Sequence, residues 1–126
     1  MNTEKNIKTL IVKKPLKLDC GKTINDFPIA YETYGSLNSK KDNAILVFHA
    51  LTGDQFVTGI NPVTKKEGWW SYAVGPGKAI DTNKYFVICS NVIGGCMGSY
   101  GPSHKNPDNK NIFGTNFPVI TINDMV

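Results

Sequence analysis

No arginine occurs among the 126 residues, although 14 basic residues stand against 10 acidic ones and give a formal charge of +4. Lysine is a flexible point charge and lacks the planar fork that reads phosphates and base edges in two-pronged fashion. The lysines are also scattered, with no run longer than two, so they read as solvated surface and no nucleic-acid partner is expected. Cysteine is scarce and odd in number. Cys20, Cys89 and Cys96 form neither a paired framework nor a CxxC metal signature, which fits reduced thiols in a cytoplasmic protein. Long apolar runs are missing too: the longest, residues 44–48, is far short of the roughly 20 residues that cross a bilayer. The opening MNTEKNIKTLIVKKP has no apolar stretch of signal-peptide length. The expectation is therefore a soluble chain with no membrane partner.

Phosphate-binding glycine motifs are absent as well. Neither GxxxxGK[ST] nor GxGxxG occurs, and Gly75-Pro76-Gly77-Lys78 is too short to cradle a phosphate. His49, His104 and Asp54 do not recur at metal-ligand spacing, so neither a metal nor a bound cofactor is expected. What is present is an ordinary globular composition, 40% hydrophobic and 19% charged, without repeats or low-complexity segments. Residues 7–18 alternate around Pro15 like an edge strand, and residues 27–34 (FPIAYETY) read as a second strand closed by Gly35-Ser36, together an antiparallel opening pair. NAILVFH and residues 85–92 (YFVICSNV) are continuous apolar runs of the kind buried on both faces of a sheet. Between them GWWSYAV could begin a helix that Gly75-Pro76-Gly77 would end. Strand, helix, strand makes a βαβ unit with two parallel strands, and an α/β class overall. Residues 94–118 form a long Gly- and Pro-rich loop, and Thr121 or Asn123 could cap a final helix with Asp124 in its first turn.

Three stretches could carry chemistry. His49-Ala50-Leu51-Thr52-Gly53-Asp54 directly follows the first apolar strand. It can be an ordinary turn holding a structural His49 and a turn-forming Asp54, or a small-residue turn presenting a backbone N–H to an oxyanion. In the second case Leu51 is the chosen donor, with Ala50 or Thr52 next. His49 is poorly placed as a general base, and His104 reads as a surface residue. Cys96, framed as Gly-x-Cys-x-Gly after a strand, mimics a nucleophile elbow. An elbow must lead into a helix, however, and Met97-Gly98-Ser99-Tyr100-Gly101-Pro102 stops helices. A loop-packing role is the better reading. Trp69-Trp70 could form a ligand platform, but large aromatics are more often core anchors.

AYETYGSLN, HALTGDQ, GWWSYAVGPGKAIDT, YFVICSNVIGGCMGSYGPS and FGTNFPVITINDMV together resemble the homoserine O-acetyltransferase family, α/β-hydrolase-fold acyltransferases of methionine biosynthesis. Tyr100 and His104 depart from the residues usual in that family. The resemblance implies acetyl transfer from acetyl-CoA to the hydroxyl of L-homoserine through a serine acyl-enzyme, with Leu51 as one oxyanion amide. It also implies a homodimer for the full-length enzyme. The family's nucleophile sits in a later Gly-x-Ser-x-Gly elbow, and its Asp and His come later still. The chain is thus expected to be a single partial α/β-hydrolase domain over residues 1–126, the N-terminal third, lacking the triad and inactive alone. Other readings stay open: a related succinyltransferase or hydrolase fragment, a small thiol enzyme using Cys96 and His49, and a non-catalytic module that self-associates through the free edge of its AILVF strand.

Overall fold

The computed structural model describes residues 7–126. Four strands come first: β1 (Lys8–Val12), β2 (Leu16–Lys17), β3 (Thr23–Ile24) and β4 (Phe27–Tyr34). Residues 7–18 are thus two strands and not one. Pro15 has no amide to give a ladder, and the chain breaks there so that β2 can pair antiparallel with β3 through Leu16↔Ile24 and Lys17↔Thr23. β4 has the bounds expected from FPIAYETY. Next come β5 (Ala44–Val47), β6 (Val74–Gly75), β7 (Ile80–Asp81) and β8 (Phe86–Ser90), then a 3-10 turn over Gly114–Asn116 and the short helix α1 (Ile122–Met125).

The main sheet has the order β1–β4–β8–β5. β8 runs antiparallel to β4, from Tyr31↔Ser90 to Tyr34↔Val87, and parallel to β5, from Ala44↔Phe86 to Val47↔Cys89. The parallel pair expected of the two apolar runs is therefore present, but the helix between them is not. Residues 68–74 form successive turns, closed by the Ser71 amide on the Gly68 carbonyl (3.2 Å) and the Val74 amide on the Trp70 carbonyl (3.0 Å), and they lead into β6. A short hairpin holds Gly68: its amide donates to the Gly59 carbonyl at 2.7 Å. A Cβ on Gly68 would lie 2.4 Å from the Thr58 nitrogen, so this backbone contact excludes any side chain. Trp69 and Trp70 stack on each other with centroids 5.7 Å apart and planes at 11°. Adjacent residues of a helix point about 100° apart, so this stacking belongs to a turn.

Two compact units emerge, one built mainly from residues 31–90 and the other from residues 9–30 and 91–126. In the first, Val47, Val57, Val74, Val87 and Cys89 form the buried cluster, with Tyr34, Ile45, Trp70 and Ile80 packed against it. Val87 and Cys89 alternate with half-buried Phe86, Ile88 and Ser90 along β8, the period-two pattern of one buried face. Leu46 and Phe48, on and just after β5, are 57% and 60% exposed. The expectation that both apolar runs are buried on two faces is thereby corrected. Only the face carrying Val47 is covered, by Val57 and Val74 of the following segment. β5 also ends the sheet order, so among the described residues no strand pairs with its outer edge.

In the second unit Leu18, Ile24, Phe27, Ile93 and Tyr100 form the core. Residues 91–118 contain no strand and are organised by turns. α1 starts at Thr121 with a capping box: the Thr121 side chain accepts from the Asp124 amide, and the Asp124 carboxylate accepts from the Thr121 amide. Thr121 is thus the cap, while Asn123 Nδ2 donates to Asp19 Oδ1 at 3.1 Å. Asp124 Oδ1 also accepts from the Asp19 amide at 2.9 Å. These backbone donors hold the Asp124 carboxyl below the usual carboxylate range. No helix among the described residues is long and apolar enough to cross a membrane.

Candidate functional site

β5 delivers the chain into the turn at His49. The His49 ring is buried, and its Nδ1–H donates to the Ala50 carbonyl at 2.6 Å. It is turned onto its own loop, a poor pose for a base. The Gly53 amide donates back to the Ala50 carbonyl at 2.7 Å, closing a four-residue turn with Leu51 and Thr52 at its centre. Leu51 is 67% exposed. Its amide meets no acceptor among the described residues, which leaves the donor without an internal partner.

The segment after the turn is firmly tied. Asp54 Oδ1 accepts from the Phe56 amide at 2.8 Å, the local bond of an Asx turn. Asp54 Oδ2 accepts from Asn61 Nδ2 at 3.0 Å. The Asp54 carbonyl takes the Trp69 indole N–H at 2.9 Å. Further on, the Tyr34 hydroxyl accepts from the Val57 amide at 2.9 Å and donates to the Gln55 carbonyl at 3.2 Å. Burial pushes the Tyr34 phenol up to about 12, so it stays protonated and can keep donating. Asp54 fits the turn-forming reading, whereas Tyr34, Asn61 and Trp69 carry no sequence signal that ties them to this loop. Trp70 packs on the valine cluster as a core anchor. Trp69 does not: it is 41% exposed and spends its indole N–H on Asp54.

The cysteines separate cleanly. Cys89 lies in the valine cluster, and burial, with the negative charge of Asp54 adding to it, pushes its thiol up to about 11, which disfavours the reactive thiolate. Cys96 is exposed at the tip of a loop closed by the Gly94 amide on the Tyr100 carbonyl at 2.7 Å. Ser99 fastens that loop from within: its buried hydroxyl donates to the Asn91 carbonyl at 2.6 Å and accepts from the Ala30 amide at 2.9 Å. A Cβ on Gly95 would sit 2.6 Å from Asn91 Oδ1. Residues 97–101 form bends and no helix, so Cys96 has no helix N-terminus behind it and no elbow geometry. His104 is half-buried and not a plain surface residue: its Nδ1 accepts from the Gly101 amide at 3.2 Å, and its ring lies 5.4 Å from that of Tyr100. No group of three or more metal-ligating side chains occurs among the described residues.

No family profile matches the chain. Over 126 residues it is 78% identical to the homoserine O-acetyltransferase of Pelagibacter ubique, covering 100% of this chain and 34% of that protein. The crystal structure of homoserine O-acetyltransferase from Bacillus anthracis superposes with a TM-score of 0.82 at 34% identity, over 94% of this chain and 33% of the other. Esterase E22 follows with a TM-score of 0.76 at 30% identity, over 94% of this chain and 34% of its own. The chain spans about a third of the length of the relatives it matches. These neighbours have the α/β-hydrolase fold, and the sheet described above is a part of that fold.

Proposed function

We propose that this chain, which over the residues it spans belongs to the homoserine O-acetyltransferase family, supplies one oxyanion donor of an acetyl transfer from acetyl-CoA to L-homoserine. The observation that carries the proposal is identity of 78% along the whole chain to a protein of that name. The Leu51 amide, without an internal acceptor in the turn that follows a parallel strand, gives it a physical role. A serine attacks the thioester carbonyl, and the carbonyl oxygen becomes an anion. A fixed N–H stabilises that anion more than it stabilises the neutral ground state. CoA leaves as the thiol, and the homoserine hydroxyl then attacks the acyl-enzyme through a second oxyanion in the same place.

The 126 residues contain no Gly-x-Ser-x-Gly, so the nucleophile, its base and the orienting carboxylate belong to the rest of such an enzyme. We read the two units as part of one α/β-hydrolase domain. The whole protein on this reading is a cytoplasmic homodimer whose partners are these two small molecules.

A hybrid enzyme tests this, with the 126 residues replacing the aligned residues of the Pelagibacter ubique protein. The hybrid should release CoA from acetyl-CoA only when L-homoserine is present, and the 126-residue chain alone should not. Leu51→Pro, which removes the N–H, should lower kcat by about 10²–10³, while Leu51→Ala, which keeps it, should stay near the parent. A hybrid active only with succinyl-CoA would overturn the donor. Release of CoA without homoserine would favour hydrolysis, the reading suggested by the similarity to esterase E22.

A further inference from the structure

Residue 54 is gripped from two sides by one small hairpin. The hairpin spans residues 59–68: Ile60 and Glu67 form an antiparallel bridge, and its tip is closed by the Asn61 amide on the Lys66 carbonyl (2.8 Å) and the Lys65 amide on the Asn61 carbonyl (2.9 Å). Asn61 reaches the Asp54 carboxylate from this tip, and Trp69, just past the other end, reaches the Asp54 carbonyl. Between these grips and the strand end at Val47 lies the turn that carries Leu51. Within the turn the Ala50 carbonyl takes the Gly53 amide and the His49 ring, while the Asp54 side of the turn is held from the hairpin.

Oxyanion stabilisation is demanding in geometry: a displacement of about 1 Å can cost up to about 10²-fold. We infer that Asp54 is a positioning residue for the Leu51 amide, coupling the oxyanion turn to the 59–68 hairpin through the Asp54–Asn61 hydrogen bond. The inference rests on the oxyanion reading of Leu51 and adds to it the device that aims the donor.

The hydrogen-bond chemistry makes the coupling separable from bulk and charge. Asn61 Oδ1 is committed to the Val63 amide at 2.8 Å and the Thr64 amide at 3.1 Å. Its orientation is thereby set, and Nδ2 must face residue 54. In Asp54→Asn the new amide can still accept from Phe56, but then its NH2 meets the NH2 of Asn61, donor against donor. Asn61 cannot flip without giving up both backbone amides. In Asn61→Asp the new carboxylate keeps Val63 and Thr64 but faces the carboxylate of Asp54. The exchange Asp54→Asn with Asn61→Asp restores one donor and one acceptor in the same space: the residue-54 NH2 donates to the residue-61 carboxylate, and both keep their backbone partners.

The test uses the hybrid enzyme and the 126-residue chain in parallel. In the hybrid, Asp54→Asn and Asn61→Asp should each lower kcat at least tenfold with KM for acetyl-CoA within twofold. The double exchange should recover most of that loss. Thr58→Val removes a hydroxyl bond to the Val74 carbonyl in the same unit (2.9 Å) and should lower the melting temperature while leaving kcat unchanged. In the chain alone, amide hydrogen exchange at Gly53 and Phe56 should accelerate at least fivefold in each single variant, and return to the parent rate in the double. Single variants with unchanged kcat, in a hybrid that Leu51→Pro cripples, would overturn the inference and leave the oxyanion reading standing. A hybrid indifferent to Leu51→Pro would instead sink the oxyanion reading. Unchanged exchange at Gly53, or a double exchange no better than the singles, would overturn the coupling whatever the activity.

Discussion

Val47, Val57, Val74, Val87 and Cys89 close one unit of the molecule, whereas the other closes around Phe27 and Tyr100, with Phe113 and Phe117 packed at its side. The valine cluster draws mostly on strands, Val47, Val74, Val87 and Cys89, where small side chains stand at fixed spacing, with Val57 of the intervening segment added. The second unit takes Leu18, Ile24 and Phe27 from its first segment and Ile93 and Tyr100 from residues 91–118, and this latter segment has no ladder to set the spacing. Its rings bridge the irregular gaps. Phe113 and Phe117 meet edge to face at 5.2 Å and 90°, and Tyr100 meets Phe113 at 5.8 Å and 89°, the arrangement that aromatic quadrupoles favour. The segment without a ladder therefore contributes a few large rings, whereas the valine cluster is assembled from several small side chains.

Tyr100→Ala strikes the aromatic side hardest, because Tyr100 is the ring that touches Phe27, His104, Phe113 and Phe117. It should cost about 3–5 kcal/mol, read by urea unfolding followed in near-ultraviolet circular dichroism. Val87→Ala strikes the other side and should cost about 2 kcal/mol. Cys89 labelling gives that side its own probe: in the parent, iodoacetamide should modify exposed Cys20 and Cys96 and spare buried Cys89, and Val87→Ala should speed the third reaction. Equal losses for the two substitutions would erase the contrast. The smallest effect is expected at the helix start, where Thr121→Ala should cost about 1 kcal/mol. The Asp124 carboxyl titrates lower in the folded chain than in the unfolded one. Its contribution is therefore present above the unfolded value and is lost as pH falls through the folded one. Acid titration of stability should steepen in the parent and flatten in Asp124→Asn.

Much of the frame was legible from residue pattern. β4 follows FPIAYETY residue for residue and Thr121 caps α1, because these depend on local propensity and on side chains within a few positions. That β5 and β8 are parallel followed from two apolar runs joined by a connection long enough for a crossover. Coverage was not legible. An apolar run such as AILVF tells which faces could be buried, but only the fold tells which one is, and here Leu46 and Phe48 face outward. The helix expected at GWWSYAV failed because the Gly68 backbone is claimed by Gly59, nine residues away. For the candidate site, the turn at His49 and the choice of Leu51 came from the sequence and the family it resembles. The hold on Asp54 did not, since Asn61 and Trp69 approach it from seven and fifteen residues along the chain and follow no periodic spacing.

The contact at Gly68 also bears on how the molecule tolerates change. With the Thr58 nitrogen 2.4 Å from where a Cβ would sit, no rotamer adjustment can make room, because the obstacle is main chain. Leu46 and Phe48, far larger residues, have open space beyond them. Mutational sensitivity in this chain should thus track backbone proximity more closely than side-chain size: the smallest residue marks one of its least replaceable positions.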